Sequence, residues 1–125
     1  MKSPNNLSEK SDVKLVEGGI YITKREKKSY PYTVCKILHI GDSFVSVMMY
    51  RNCFKEFPTD LDISTLSIEF PTAKEDMEKI LSGDADFRIG VGCVPLDRQN
   101  FVAQKPVLIA ETNLEDWEHE LCDSM

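Results

Sequence analysis

The chain has 125 residues, of which 42% are hydrophobic and 29% are charged, the proportions of one ordinary globular domain. Its charge is divided: residues 1–58 carry ten Lys or Arg against six Asp or Glu, a balance of +4, whereas residues 59–125 carry five against fifteen, a balance of −10. This composition argues against a wholly disordered chain. The acidic half also argues against a nucleic-acid partner, because it repels a phosphate backbone.

The two ends of the sequence differ in character. Residues 1–12 are rich in Ser, Asn and Lys without periodicity, so we predict a mobile N-terminal arm, followed by a single globular domain over residues 13–125. No apolar stretch follows the charged start as in a secretory signal, and apolar runs such as 107–110 are far shorter than the ~20 residues of a membrane helix. We therefore expect a cytoplasmic protein without a membrane partner.

Strand patterns dominate the first half. After the turn signal Gly18-Gly19, β-branched and aromatic residues predict strands over 20–23, 32–40 and 44–50, the last two joined by a tight turn at Gly41. The loop between the first two strands is basic, but Glu26 interrupts it and no aromatic residue is interleaved. We therefore predict an exposed hairpin tip there rather than a nucleic-acid site.

A helix is predicted over residues 72–82. Thr72 stands where a capping residue is expected, and Gly83 closes the far end. Met77, Ile80 and Leu81 share one face, and we expect that face to pack on the core.

The remaining elements are shorter. Strands are predicted over 88–94 and 106–111, with Asp97 capping a short turn between them and Asn113 capping a last helix. The Gly90-Val91-Gly92 segment lacks the third glycine of a dinucleotide-binding loop. It instead predicts a strand that another backbone approaches closely, and no cofactor.

Neither the cysteines nor the histidines predict a site. Cysteines 35, 53, 93 and 122 form no Cys-x-x-Cys pair, and with no secretory signal we expect four free thiols. His39 and His119 are far apart in sequence and have no readable partner, so we predict no metal site and no catalytic residue.

The C-terminal segment carries the strongest functional signal. Between residues 111 and 125 there are six carboxylates and no Lys or Arg. The predicted last helix surrounds the only tryptophan with acids, which favours an acidic surface that binds a basic protein, although a lone Trp on a helix is often part of the core. The residues predicted to bind the partner are Glu115, Asp116, Trp117, Glu118 and Glu120.

Residues 18–52 resemble a Tudor or SH3-like small barrel. The pattern is a Gly before a strand, a polar loop, an aromatic-led strand with an aliphatic run, a tight turn, and a strand that ends in Tyr50-Arg51-Asn52. In Tudor domains, aromatic residues at these strand ends form a cage that holds a methylated Lys or Arg. The resemblance implies a peptide site at Tyr32, Tyr50 and Asn52. The alternative is that both tyrosines simply pack across a sheet.

By size, charge and lack of catalytic motifs, the chain also resembles the small acidic immunity proteins that bacteria produce to block a toxin. We therefore expect a non-catalytic inhibitor of a basic toxin domain, or alternatively a Tudor-like adaptor for a cationic or methylated peptide. The expected fold class is α+β, a small antiparallel and partly closed barrel or curved sheet with one or two short helices.

Overall fold

The computed structural model describes residues 14–26, 28–68, 74–85 and 90–123, and statements about structure below concern these residues. The predicted arm over 1–12 lies outside them. No helix in these ranges is long and apolar enough to cross a membrane.

The described chain forms one five-stranded antiparallel sheet and three short α-helices. The strands are β1 (Gly19–Lys24), β2 (Tyr32–Ile40), β3 (Phe44–Phe54), β4 (Val91–Asp97) and β5 (Val107–Glu111). The helices are α1 (Lys74–Ser82), α2 (Arg98–Ala103) and α3 (Asp116–Asp123), with a 3-10 turn at Ile63–Thr65. The sheet order is β4-β3-β2-β1-β5.

The α+β class and the small antiparallel sheet are confirmed, with three α-helices in place of the expected one or two. Pairing between the described strands stops at β4 on one side and β5 on the other, so a closed barrel is not shown. The second strand has the predicted bounds and the third extends to Phe54. Of the strand predicted at 88–94, residues 88–89 lie outside the described residues, and the described strand is Val91–Asp97.

Both faces of the sheet are covered, because successive residues of a strand point to opposite sides. On β1, Ile20 and Ile22 enter one buried cluster and Tyr21 the other. The first cluster packs against Leu114 and Leu121 at α3 and against apolar residues of loop 61–68. The second packs around Phe101 of α2. Burial on both faces explains why the strands are apolar in nearly continuous runs.

Helix α1 ends as predicted but docks differently. Gly83 has a φ of +87°, its N–H donates to the Ile80 carbonyl, and the next N–H donates to the Lys79 carbonyl, the hydrogen bonds of a Schellman ending. Ile80 is buried and Met77 is partly buried, but Leu81 is 67% exposed, so its assignment to the core face was wrong. The predicted cap at Thr72 lies outside the described residues.

The structure bears on three other local predictions. The Asp97 carboxylate accepts the Asn100 N–H at 2.9 Å and caps α2, as expected. A Cβ at Gly90 would lie 2.5 Å from the Ile68 carbonyl oxygen, which confirms the close approach of another backbone. Asn113 does not cap the last helix, because the helix begins at Asp116 and the residue before it is Glu115.

The cysteines correct one expectation. Cys35 and Cys53 form no disulfide, as predicted, and both are buried. Cys93 is disulfide-bonded, which contradicts the prediction of four free thiols, and its partner is not among the described side chains. Since disulfides persist mainly in oxidising compartments, the cysteines no longer support a cytoplasmic location, which stays a prediction.

Candidate binding cleft

The acids predicted to bind a partner separate into two groups in the structure. Glu115, Asp116 and Glu120 are exposed, and Trp117 is 44% exposed, so the tryptophan is not a core residue. We call these four residues the α3 surface. Glu118 does not belong to it.

Glu118 is buried in an ion pair with Lys36 of β2. The Lys36 ammonium lies 2.8 Å from both carboxylate oxygens, and the two side chains are only 6% and 3% exposed. The ammonium also donates to the Asn113 carbonyl at 3.1 Å. We therefore remove Glu118 from the predicted partner-binding residues, because a carboxylate enclosed in this way is not available to a partner.

Local geometry explains why the helix begins where it does. Glu118 is the third residue of α3, and its carboxylate accepts the N–H of Glu115, the residue before the helix, at 2.9 Å. This contact is one half of a capping box, and it places a negative charge at the positive end of the helix dipole. One carboxylate therefore caps α3 and also anchors it to the centre of the sheet.

A sequence signal for this pair exists, although it was missed. Lys36 stands in the middle of an otherwise apolar strand and faces the same side as the buried Val34 and Leu38. A lysine at such a position needs an opposite charge, because an unpaired buried charge is very costly. Sequence alone gives no indication of which of the fifteen acids after residue 58 is its partner.

Tyr50 lies beside the ion pair. It is almost fully buried, and burial, with a smaller contribution from the Glu118 charge, raises the pKa of its hydroxyl well above the usual value. The phenol therefore stays protonated at physiological pH. Because the ring belongs to the core, Tyr50 is unsuitable as an exposed wall of a cation cage, and this part of the Tudor-based expectation is revised.

Above these residues lies a cleft of about 680 Å³ between α3, the loop 61–68 and the sheet. Its floor includes Lys36, Glu118 and Tyr50, and Trp117 and Ile63 are exposed large apolar residues in its walls. The full lining comprises Ile20, Lys36, Tyr50, Ile63, Ser64, Leu66, Ile68, Thr112, Asn113, Glu115, Trp117 and Glu118.

The structure does not bring Tyr32, Tyr50 and Asn52 together as one site of exposed groups. The Asn52 side chain is bound to loop 61–68, where its oxygen accepts the Ser67 N–H at 2.9 Å and its amide donates to the Thr65 carbonyl at 3.3 Å. Asn52 therefore holds the wall of the cleft in place. We revise its expected role from peptide contact to support.

Tyr32 lies in a different aromatic group. Its ring meets that of Phe57 edge to face, with centroids 5.7 Å apart, and the ammonium of Lys24 lies 5.7 Å from the Tyr32 centroid. The two rings meet at 81°, and a cation of the same chain already occupies the face of one of them. We call this pair the Tyr32–Phe57 corner.

The two histidines, though distant in sequence, line one smaller cleft of about 410 Å³. His39 Nδ1 lies 3.4 Å from a carboxylate oxygen of Glu17. Within the described part of the chain, no group of three His, Cys, Asp or Glu side chains is placed to hold a metal ion. The other lining residues are Glu17, Leu38, Phe44, Ser46 and Glu118.

No protein-family model, curated protein or solved structure matches the chain. The resemblances to Tudor or SH3-like barrels and to immunity proteins therefore stay predictions.

Proposed function

We propose that this protein is a non-catalytic binding protein, an inhibitor of the immunity type that neutralises a basic toxin domain through the α3 surface. The observation that carries the proposal is the half-exposed Trp117 with the exposed carboxylates of Glu115, Asp116 and Glu120 around it. Tryptophan is enriched among the residues that dominate binding energy at interfaces, and surrounding charges steer an oppositely charged partner.

The α3 surface also has a rigid support, which favours recognition over mere solubility. Glu118 joins the helix to Lys36 at the centre of the sheet, so Trp117 is presented from an anchored element. Binding loses less conformational entropy when the contact residues are already held in position.

The chemistry of the cleft supports a non-catalytic role. Lys36, a candidate general base or nucleophile by residue type, has its ammonium enclosed by Glu118 and the Asn113 carbonyl. The phenol of Tyr50 is held in its protonated form by a raised pKa. A phenol with a raised pKa is a poor general base, because general bases work best with a pKa near the operating pH.

The proposal is tested by capturing the partner from the native host on the immobilised chain and measuring its association rate. We expect the variant E115Q/D116N/E120Q to associate about tenfold more slowly at low ionic strength and with a flatter dependence on salt. The matched control, D60N/E75Q/E78Q, removes three exposed acids elsewhere and should change the rate little. Equal rates for the two triple variants would contradict the role of the α3 surface.

Inhibition itself needs a second measurement. The captured partner should be an enzyme with a basic domain, and adding the chain in equimolar amount should abolish its activity. W117A, which removes the proposed anchor, should raise the concentration needed for inhibition at least about tenfold. A partner that keeps its activity in the complex would exclude the inhibitor function but leave a binding protein.

A second candidate, an adaptor for a cationic or methylated peptide, is favoured by one observation. The Tyr32–Phe57 corner already holds the Lys24 ammonium over an aromatic face. If this is the functional site, F57A should abolish binding of a trimethyl-lysine peptide and W117A should leave it unchanged. The opposite pattern would favour the α3 surface.

A further inference from the structure

The cleft beside α3 carries an inference that rests on the proposed function and deepens it. Two large apolar side chains that line it are open to solvent, Ile63 at 40% and Trp117 at 44%. One comes from the 3-10 turn and the other from α3. Exposed apolar groups that share a concave site are typical of surfaces that bind another molecule.

The floor of the cleft is polar but neutral overall. Lys36 is the only Lys or Arg among its lining residues, and its charge is balanced by Glu118 at 2.8 Å. Among the described lining residues, an anionic ligand would thus find no unpaired cationic group. A side chain that binds in the cleft therefore needs no charged group at its end.

Each apolar wall residue has an exposed acid nearby in the sequence. Glu115 lines the helix side and is exposed. On the loop side Asp62, immediately before Ile63, accepts hydrogen bonds from the Ser64 N–H at 3.0 Å and the Ser64 hydroxyl at 2.7 Å. These hydrogen bonds lower the pKa of the Asp62 carboxyl, so it stays ionised at neutral pH.

We propose that this cleft receives a long aliphatic or aromatic side chain of the basic partner, presented on a segment where Lys or Arg flanks it. The apolar walls bury the tip of that side chain, and the carboxylates of Asp62 and Glu115 contact the flanking cations. The volume of about 680 Å³ also falls within the range of small-molecule sites. The exposed acids next to the two walls, Glu115 two residues before Trp117 and Asp62 immediately before Ile63, favour an extended basic segment, because such a segment can contact both.

The test uses a random peptide library displayed on phage and selected on the folded full chain. The enriched peptides should share an apolar residue with Lys or Arg on both sides. A synthetic copy without tryptophan should shift the fluorescence of Trp117, the only tryptophan, on titration. Selection of acidic peptides, or of none above background, would overturn the proposal.

Two variants of Ile63 test whether the selected peptide binds in the cleft. I63D, or the milder I63S if the first is unstable, should weaken the selected peptide at least about tenfold. L81D changes an even more exposed apolar residue outside the cleft and should leave its affinity unchanged. Equal affinities for I63D, I63S and the wild type would refute docking in the cleft.

The same variants distinguish this inference from the proposed function. In one outcome, neutralising the acids of the α3 surface slows association of the natural partner, but I63S leaves the partner's affinity unchanged. The α3 surface then binds the partner, but the cleft does not receive one of its side chains. If neither change affects the natural partner, both proposals fail.

Discussion

Removing one member of the Lys36–Glu118 pair should destabilise the fold more than any single surface change. In the variant E118Q, the glutamine amide still has an oxygen to accept the Glu115 N–H, but the Lys36 ammonium loses its counter-charge in a site where it is 6% exposed. In K36M the charge left without its partner is the carboxylate of Glu118. Each change isolates the cost of one buried charge.

The magnitude follows from the enclosure of the pair. Breaking a buried ion pair by removing one partner typically costs about 3–5 kcal/mol, because the remaining charge has lost its water and has no substitute. For a chain of 125 residues, the melting temperature falls by roughly 3–5 °C per kcal/mol, so each single variant should melt about 10–20 °C lower.

The double variant K36M/E118Q gives the sharper result. With both charges removed, no uncompensated ion remains, so the loss should be about 1–3 kcal/mol and smaller than that of either single variant. The matched control is Lys14 with Glu111, a pair at 3.2 Å whose side chains are both exposed. E111Q should cost under about 1 kcal/mol.

Urea unfolding followed by the fluorescence of Trp117 measures all four variants, since the tryptophan lies on the helix that the pair anchors. Circular dichroism of the sheet in the same samples shows whether the helix and the sheet unfold together. A loss below about 1 kcal/mol in both single variants, or a double variant as unstable as the sum of the singles, would refute the reasoning.

Two further predictions concern the fold. I80A should lower the free energy of unfolding by about 2–5 kcal/mol, because Ile80 is buried. L81A, on the same helix but at a side chain that is 67% exposed, should lower it by under about 0.5 kcal/mol. Equal losses in chemical denaturation would mean that α1 does not dock by Ile80. Alkylation of the unfolded but unreduced chain should modify Cys35 and Cys53 and spare Cys93. Reduction should lower the free energy of unfolding by about 2–4 kcal/mol. Modification of Cys93 before reduction would exclude its disulfide.

The sequence was sufficient for those elements whose cause is local. The strand Tyr32–Ile40, the turn at Gly83 and the cap at Asp97 all follow from residue patterns within a few positions. Their hydrogen bonds and side-chain directions depend on near neighbours, which a single sequence displays.

The errors share a different cause, since each depends on residues far apart in the chain. The partner of Lys36 lies 82 residues away, and the Asn113 carbonyl that it binds lies 77 residues away. Helical periodicity placed Leu81 on the core side, but the docking of α1 buries Ile80 and leaves Leu81 in solvent. Tertiary packing determines which charges pair and which helix residues are buried, and helix propensity and periodicity do not show that packing.

The cleft itself was not predicted for the same reason. Its walls come from loop 61–68, which has little periodicity, and from a helix whose start was placed too early. The sequence did predict Glu115, Trp117 and Glu118 as site residues, and all three line the cleft. It did not separate the carboxylate that holds the helix from those that face solvent.

The charge division along the sequence is partly cancelled in the folded chain, and the acids that remain without a pair support the proposed site. Both lysine–glutamate pairs in the described structure join the basic half to the acidic half, Lys36 to Glu118 and Lys14 to Glu111. No Lys or Arg occurs after Lys105, so the acids of the α3 surface have no neighbouring cation in their own segment. Like charges held close together repel one another, and a basic partner removes that repulsion when it binds. Within the acidic half, the α3 surface is therefore where repulsion between acids most favours a basic partner.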